Sequence, residues 1–391
     1  MALSFHVLKR RMSSAIASTT EIRNKLDTAR LQHFLTSNVG GEGDGAFSTV
    51  GVKEFSHGQS NPTYVITSAD SSRYVLRKQP PGELLKGAHA VDREHRVMTA
   101  LGSVGAPVPK TLLFCDDPSV LGTPFFMYEF VDGRFYKDPF LGGEEFGRTD
   151  REEMFESMAR ALAKIHATNV NNVPSLATYG RPAGYISRQI NTWTKQYELS
   201  KTRDIPEMDH VIKFLSSNAE AVVATHTGGS KGHAFLVHGD YRMDNLLYMP
   251  GNNNEVAAVL DWELSTVSDT PLGDIAYNCM MYHLTPRDAS ITGFKGLDWQ
   301  SMGIPSEEEY LQTYADAVEE FSDGAVKLFP HRTHSFFLSF SFFRAAAILQ
   351  GVYKRSLQGN ASAPNAHETG EMAVEMAEIA MHFAKEHEQT Q

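Results

Sequence analysis

The sequence predicts an α+β protein with a small β-rich lobe followed by a larger, mainly helical lobe. Five short runs of apolar and β-branched residues precede residue 131, with turn formers between them and one helical stretch among them. Beyond that point, apolar residues recur mostly at helical spacing. We therefore expect a tail at residues 1–27, a first lobe at residues 28–131 and a second lobe at residues 132–391.

The composition is that of an ordinary globular protein, with 41% hydrophobic and 21% charged residues among 391. The formal net charge of −11 disfavours nucleic-acid binding, which usually needs a basic excess. No uncharged apolar run reaches the ~20 residues of a membrane-spanning helix, so we predict no membrane span. The two cysteines, Cys115 and Cys279, have no metal-binding spacing, which disfavours a zinc site or a disulfide framework.

The N-terminal segment has a biased composition. Residues 1–20 contain no Asp or Glu, and they carry Lys9, Arg10 and Arg11. Mitochondrial transit peptides share this composition, and so do disordered tails. The low cysteine content fits a reducing compartment. We expect a cytoplasmic protein, with the mitochondrial matrix as the alternative.

The first lobe is predicted to begin with a helix at residues 28–35 and to carry a second helix at residues 88–101. We expect its strands to form one antiparallel sheet. The strands are predicted at residues 50–55, 63–67, 74–77, 111–114 and 125–130.

The second lobe is predicted to be helical apart from two short apolar runs at residues 234–237 and 256–260. Its aromatic-rich stretch at residues 336–353 is expected to be helix core, with an apolar pocket as the alternative. The other helices are predicted at residues 152–168, 193–199 and 208–223, and again from residue 274 onward.

Two polar motifs follow apolar runs in the second lobe. His238 to Asn245 fit the pattern H-x-D-x-x-x-x-N, and Asp261 begins an Asp-Trp-Glu sequence. Phosphoryl transfer needs a carboxylate that orients the attacking hydroxyl, together with oxygen ligands for Mg²⁺. Asp240 can be the first group, and Asn245 and Asp261 can supply the second. Taken alone, His238 would be interpreted as a core histidine.

This pair of motifs resembles the aminoglycoside phosphotransferase family, which includes choline kinases and shares the protein-kinase-like fold. The resemblance implies a two-lobe kinase-like architecture with a nucleotide-binding N-terminal lobe and a catalytic C-terminal lobe. It also implies ATP and Mg²⁺ as cofactors and the hydroxyl of a small molecule as acceptor. Asp274 resembles the buried aspartate that braces the catalytic loop in this family.

The resemblance assigns a role to each residue of the motifs. Asp240 takes the part of the catalytic aspartate, and Asn245 and Asp261 are the metal ligands. His238 has a structural role in the loop. Arg242, two residues beyond Asp240, stands where many kinases hold a cation near the γ-phosphate.

The loop between the first two strands is expected to cover the phosphates. It contains Gly58 as its only glycine, so backbone binding of phosphate is weaker here than in a G-x-G-x-x-G loop. Ser60 and Asn61 are candidates for side-chain contacts instead. At the end of the lobe, Glu129 and Val131 lie in the segment where a hinge would hold the adenine.

The third strand offers two adjacent cations for the phosphates, Arg77 and Lys78. Alternation along the strand places Val75 and Arg77 on one face and Lys78 on the other. Alignment with the kinase V-A-I-K pattern favours Arg77, with Lys78 as the alternative. Glu94, on the following helix, is the expected ion-pair partner, unless it is a surface glutamate paired along its own helix.

Residues 76–82 and 88–94 read Leu-Arg-Lys-x-Pro-Pro-Gly and Ala-His-Ala-Val-Asp-Arg-Glu. They resemble the subgroup of the family that is fused to acyl-CoA dehydrogenases. This resemblance implies a hydroxy acid or a hydroxyacyl-CoA as acceptor. The alternative is a nucleotide-binding pseudokinase with a regulatory or scaffolding role, because the loop is poor in glycine and Arg77 replaces the usual lysine. A serine hydrolase is disfavoured, because no G-x-S-x-G is present.

Overall fold

A computed structural model divides the chain into two compact units. Met1–Lys137 and Met243–Ser265 form the first unit, and Asp138–Arg242 and Thr266–Gln391 form the second. Most of the expected tail at residues 1–27 lies outside the described residues, which include only 12–14, 19–20 and 26–27 of it. The structure describes residues 12–14, 19–20, 26–39, 45–55, 61–82, 89–142, 146–227, 232–249, 254–287, 291–360 and 365–390.

The strands are numbered in chain order. They are β1 (Met12–Ser14), β2 (Thr19–Thr20), β3 (Gly51–Phe55), β4 (Thr63–Thr67), β5 (Arg73–Lys78), β6 (Thr111–Cys115), β7 (Phe125–Glu129), β8 (Arg134–Tyr136), β9 (Phe235–Val237), β10 (Leu246–Tyr248), β11 (Val256–Val259) and β12 (Thr266–Ser268).

The helices are numbered in the same way. They are α1 (Thr28–Asn38), α2 (Val91–Ser103), α3 (Pro118–Leu121), α4 (Arg148–Ala167), α5 (Tyr185–Ser200), α6 (Pro206–Thr227), α7 (Leu272–His283), α8 (Glu307–Phe321), α9 (His334–Leu357), α10 (Ala366–Glu371) and α11 (Ala373–Thr390).

The first unit contains an antiparallel sheet with the strand order β2-β3-β4-β5-β7-β6. The five predicted strands are therefore confirmed. Within the described residues, the two-residue strand β2 adds a sixth at the edge. The order of β6 and β7 in the sheet differs from their order in the chain. β7 lies between β5 and β6 and pairs with both.

Alternation along the strands gives this sheet two different faces. Buried residues such as Ile66, Leu76 and Met127 pack against Leu31 and Leu35 of α1. Residues one position away point to the opposite face. Val75 and Arg77 therefore share the face away from α1, whereas Lys78 lies on the same face as Leu76.

A second sheet in the first unit has the order β1-β8-β10-β11. β10 and β11 form an antiparallel hairpin, and Tyr248 of β10 pairs with Arg134 of β8. The N–H of Val259 also donates to the carbonyl of Pro107 at 2.8 Å. These contacts explain why residues 243–265 cluster with the first unit, although the expected second lobe began at residue 132. The lobe boundaries at 28–131 and 132–391 stay a prediction.

The second unit is mainly helical, as predicted, and α9 lies in its core. α9 packs against α5, α6, α7, α10 and α11. Its phenylalanines from Phe336 to Phe343 are buried, so the aromatic stretch is helix core. The predicted helix at 193–199 is longer in the structure and begins at Tyr185.

One helix among the described residues, α9, is long and apolar enough to cross a membrane by length and composition. However, 72% of its apolar window is buried inside the protein. Core helices show burial of this kind, so α9 is only weak evidence for a membrane span.

We expect Gly303→Ala to destabilise the second unit. Gly303 has a φ of +93°, and a Cβ at this position would overlap the backbone carbonyl of Arg148. Backbone strain and the overlap together should lower the free energy of unfolding by about 3 kcal/mol in urea denaturation.

Gly296→Ala is the matched control for this variant. Gly296 has a φ of +86°, but a Cβ there would meet nothing within 4 Å. Only the conformational cost of about 1 kcal/mol is then expected. Equal losses in the two variants would show that the close approach to Arg148 is unimportant.

Candidate active site

The hairpin of β10 and β11 brings the two predicted metal ligands to one place. Leu246 is paired with Val259, and the N–H of Leu260 donates to the carbonyl of Asn245 at 2.9 Å. Asn245 and Asp261 therefore stand at the same end of the hairpin, and both line one cavity.

Asp261 adopts an unusual backbone conformation, with φ +65° and ψ 65°. This left-handed region costs a residue other than glycine about 1 kcal/mol or more. The turn directs the Asp261 side chain toward Arg77, whose Nη2 lies 2.9 Å from Asp261 Oδ1.

Arg77 contacts two further carboxylates. Its Nε lies 3.0 Å from Glu94 Oε2, and its Nη2 lies 3.6 Å from Glu263 Oε2. The side chains of Arg77 and Glu94 are 12% and 2% exposed. The expected ion pair between Arg77 and Glu94 is thus present, and Glu94 is not a surface glutamate.

Burial and charge act in opposite directions on this group. Burial by itself would lower the pKa of Arg77, but Glu94 and Asp261 hold it above its ordinary value. Burial raises the pKa of Glu94 to about 7, because the attraction of Arg77 offsets only part of the desolvation and Asp261 and Glu263 add repulsion. A backbone N–H of Trp262 also donates to the Glu94 carboxylate.

The donors around Asp261 fit a hard divalent cation. The carboxylates of Glu94, Asp261 and Glu263 lie within 3.6 Å of the Arg77 guanidinium, so oxygen donors are concentrated here. Carboxylate and amide oxygens are the ligands that Mg²⁺ prefers. Asp261 and Asn245 would hold it, as the sequence predicts.

The cavity beside these residues has a volume of about 240 Å³ and is mostly apolar. Three of its polar residues, Arg77, Asn245 and Asp261, lie close together. Apolar lining of this kind suits a flat aromatic ring, and the polar residues suit phosphates. The lining residues are Phe55, Thr63, Val75, Arg77, Pro109, Tyr128, Phe130, Val131, Phe135, Asp244, Asn245, Leu247, Leu260 and Asp261.

The structure separates the predicted nucleotide-binding residues into two sets. Arg77 and Val131 line the cavity, whereas Lys78 and Glu129 are not among its lining residues. Lys78 lies on the opposite face of β5. Glu129 extends toward Lys110, with Nζ 2.9 Å from Oε1.

The predicted phosphate loop is described only at its end. Gly58 and Ser60 lie outside the described residues. The Asn61 side chain is buried, and its Oδ1 lies 3.1 Å from His89 Nδ1. Asn61 Nδ2 is buried and has no hydrogen-bond partner within the described part of the chain.

In the second unit, Asp274 at the start of α7 braces the loop that carries Asp240. Its Oδ2 and Oδ1 accept from the N–H groups of His238 and Gly239 at 2.5 and 2.9 Å. His166 Nε2 lies 3.3 Å from Oδ2. Burial alone would raise the pKa of Asp274, but the hydrogen bonds and charge of His166 and His238 hold it below its ordinary value.

Asp240 lies in the same unit, and three of its neighbours are described. The Tyr277 hydroxyl donates to its Oδ1 at 2.8 Å, and Arg242 Nε lies 3.3 Å from the same oxygen. The N–H of Asp240 donates to Nδ1 of the buried His238 at 3.2 Å. Burial alone would raise the pKa of Asp240, but Arg242 and Tyr277 lower it, so Asp240 is ionised at neutral pH.

Sequence reasoning missed several of these contacts. Tyr277 and His166 belong to no recognised motif. Tyr277 lies 37 positions from its partner Asp240, and His166 lies 108 positions from its partner Asp274. For Glu263, its place after Asp-Trp was recognised, but its proximity to Arg77 was not.

The fold and this site define a phosphotransferase of the kinase-like class. The phosphotransferase enzyme family matches residues 51–302, which is more than half of the chain. The chain belongs to this family, and it is a small-molecule kinase.

The comparisons also support a particular subgroup. The chain is 44% identical over 331 residues to acyl-CoA dehydrogenase family member 10 of Mus musculus, covering 85% of this chain and 29% of that protein. The chain spans less than half the length of the curated relatives that it matches. The predicted similarity to relatives named as acyl-CoA dehydrogenases is thus confirmed.

Solved structures support the fold. A candidate aminoglycoside phosphotransferase from Ralstonia eutropha is 36% identical with a TM-score of 0.76, and the match covers 93% of this chain and 99% of that one. Choline kinase of Cryptosporidium parvum is 14% identical with a TM-score of 0.59, and the match covers 93% and 97%. The predicted kinase-like fold is confirmed.

We expect Asp274→Asn to destabilise the loop and the protein. An amide in place of the carboxylate loses one acceptor and the charge, which should cost about 3 kcal/mol of unfolding free energy at pH 7. Because the pKa of Asp274 is held below its unfolded value, this contribution is complete above about pH 4 and is lost as the pH falls further.

Urea denaturation between pH 7 and pH 3 measures this difference. Asp298→Asn, at an exposed position, is the control and should be neutral throughout. A difference between wild type and Asp274→Asn that grows on acidification would contradict the assignment.

A second pH dependence is expected from Glu94. Its folded pKa of about 7 lies above its unfolded value, so the folded state holds the extra proton between about pH 4.5 and pH 7. Stability should therefore fall as the pH rises through this window, by on the order of 2–3 kcal/mol. Glu94→Gln should flatten that slope in urea denaturation at pH 5 and pH 8, whereas Glu129→Gln, at a half-exposed site, should preserve it.

Proposed function

We propose that the protein transfers the γ-phosphoryl group of ATP to a hydroxyl of a small molecule, with Mg²⁺. The observation that carries this proposal is the group formed by Arg77, Glu94, Asp261 and Asn245. It places a cation and oxygen donors at one end of an apolar cavity. Membership of the phosphotransferase family supports the reaction class.

The nucleotide would occupy the cavity of the first unit. The adenine would lie among apolar side chains such as Val75, Tyr128 and Leu260. Arg77 would bind the phosphates, and its contacts with Glu94 and Asp261 would hold its guanidinium in place. Asn61 Nδ2 is a further donor for a phosphate oxygen.

When bound, Mg²⁺ neutralises charge on the phosphate oxygens, and Asn245 and Asp261 would hold it. The rest of the catalytic contribution is positioning, because the transition state of phosphoryl transfer forms few covalent bonds to protein. Asp240 accepts a hydrogen bond from the acceptor hydroxyl and orients its oxygen toward phosphorus. Arg242 and Tyr277 keep the Asp240 carboxylate ionised and fixed in direction.

In the reaction, the hydroxyl oxygen forms a bond to the γ-phosphorus. The bond from that phosphorus to the β,γ-bridging oxygen breaks, and the electron pair leaves with ADP. The hydroxyl proton passes to the Asp240 carboxylate. Because the pKa of Asp240 is low, this transfer occurs late, after the bond to the leaving group has weakened.

The acceptor is a hydroxy acid or a hydroxyacyl-CoA under this proposal. Its support is the similarity to relatives named as acyl-CoA dehydrogenases, although the chain spans less than half of their length. An enzyme acting beside acyl-CoA chemistry would use an acceptor of this kind.

Asp240→Asn should reduce kcat by on the order of 10²–10⁴ without unfolding the protein. The carboxamide cannot take the proton, and it offers an N–H group where the hydroxyl should donate. The assay is ADP release with Mg-ATP over a panel of hydroxy acids and hydroxyacyl-CoAs, with mass spectrometry of the phosphorylated product. Asp298→Asn is again the control, and it should retain full turnover.

Two results would contradict the proposal. Full turnover by Asp240→Asn would remove this residue from the reaction. Thermal stabilisation by Mg-ATP without turnover of any acceptor would favour the nucleotide-binding pseudokinase.

A further inference from the structure

Arg344, on α9, is a cation near Asp240 that the roles proposed above leave unused. Its Cζ lies 5.6 Å from the ring centroid of Trp193 and 5.2 Å from that of Tyr277. Tyr277 is the side chain whose hydroxyl donates to Asp240. All four residues belong to the second unit.

Within the described part of the chain, no carboxylate forms an ion pair with the Arg344 guanidinium, and its Nε is buried without a hydrogen bond. Two other arginines of this unit are compensated. Arg287 makes two hydrogen bonds to Glu375, at 2.7 and 2.6 Å, and the buried Arg151 donates to carbonyl oxygens. Burying part of a cation without an ion-pair partner costs free energy. An anionic ligand bound near Asp240 would offset that cost.

Two guanidinium groups act on the Asp240 carboxylate. Arg242 and Arg344 both lower its pKa, and Arg242 Nε lies 3.3 Å from its Oδ1. Burial raises the pKa of Tyr185 to about 12, although the charge of Arg344 acts in the opposite direction. The Tyr185 side chain therefore stays a neutral hydroxyl. The nearby Asp274 is already engaged by His166 and two backbone N–H groups.

We propose that Arg344 binds an anionic oxygen group of the phosphoryl acceptor, a carboxylate or a phosphate, while Asp240 binds its hydroxyl. Trp193 and Tyr277 flank the guanidinium and would contact the carbon chain between the two groups. This proposal rests on the proposed function and assigns the residue that binds the negatively charged group of its acceptor. A cationic acceptor would meet two guanidinium groups and be repelled.

The test uses the full chain with three variants. Arg344→Met removes the charge and keeps the length of the side chain, whereas Arg344→Lys keeps the charge. Arg203→Met is the matched control, because Arg203 also lies over an aromatic ring, Tyr353 at 4.7 Å, and its Nε is also buried without a partner in the described residues.

Three probes separate the sources of negative charge. They are 3-hydroxybutanoate, which carries a carboxylate, 3-hydroxybutanoyl-CoA, which carries phosphates, and 1,3-butanediol, which carries no charge. Binding is measured by calorimetry with Mg²⁺ and a non-hydrolysable ATP analogue, and turnover by ADP release. The KM for ATP is measured in parallel.

We expect the wild type to prefer at least one anionic probe over the diol by tenfold or more. Arg344→Met should weaken that probe by on the order of 10- to 100-fold, mainly through KM, because a charged hydrogen bond is lost. Arg344→Lys should restore part of the preference, and Arg203→Met should keep all of it. The anionic probe whose binding is weakened in Arg344→Met shows whether Arg344 binds a carboxylate or a phosphate.

The absence of any preference for an anionic probe in the wild type would overturn the proposal. An unchanged preference in Arg344→Met would also overturn it, since Arg344 would then not contact the acceptor. A raised KM for ATP alone would do the same, since Arg344 would then contact the nucleotide. Failure of the proposed function itself is distinguishable, because no variant, including the wild type, would then turn over any probe, while calorimetry would still measure the binding preference for an anionic probe.

Discussion

The ion pairs of Arg77 are the interactions on which the nucleotide site depends. An almost buried guanidinium contacts Glu94 through Nε and Asp261 through Nη2, with Glu263 close to the same Nη2. A lysine ammonium is a single point of charge, whereas the planar guanidinium can donate hydrogen bonds to two carboxylates in different directions. The arginine that replaces the usual lysine is therefore physically suited to this site. Without it, three carboxylates would repel one another in a partly desolvated space.

A carboxylate has the corresponding role in the second unit. Asp274 accepts from two successive backbone N–H groups and sets the direction of the chain as it enters the residues around Asp240. Asp240 is then held by Tyr277 and Arg242, which keep its pKa low. A low pKa makes a weak base, so under the proposed function Asp240 would contribute mainly by orienting the hydroxyl. This suits a reaction in which the leaving group departs before the nucleophile is fully deprotonated.

One strained backbone conformation occurs at Asp261, the proposed metal ligand. Asp261 has a positive φ between β11 and the 3₁₀ turn Trp262–Leu264. The indole N–H of the buried Trp262 donates to the Val259 carbonyl at 2.9 Å and closes this turn. Neighbouring contacts thus maintain a conformation that an isolated aspartate would avoid, and they direct its carboxylate toward Arg77.

Short-range patterns in the sequence determined much of this protein. Strand periodicity predicted the five strands and showed that Val75 and Arg77 share a face, and the motif around Asp240 predicted the catalytic loop. Local spacing could not predict that β7 inserts between β5 and β6, or that the hairpin of β10 and β11 packs with the first unit. Contacts such as Tyr277 with Asp240, and the position of Arg344 beside Trp193, join residues far apart in the chain. Only tertiary packing decided them, because hydrogen bonds and burial depend on distances in space that no local pattern encodes.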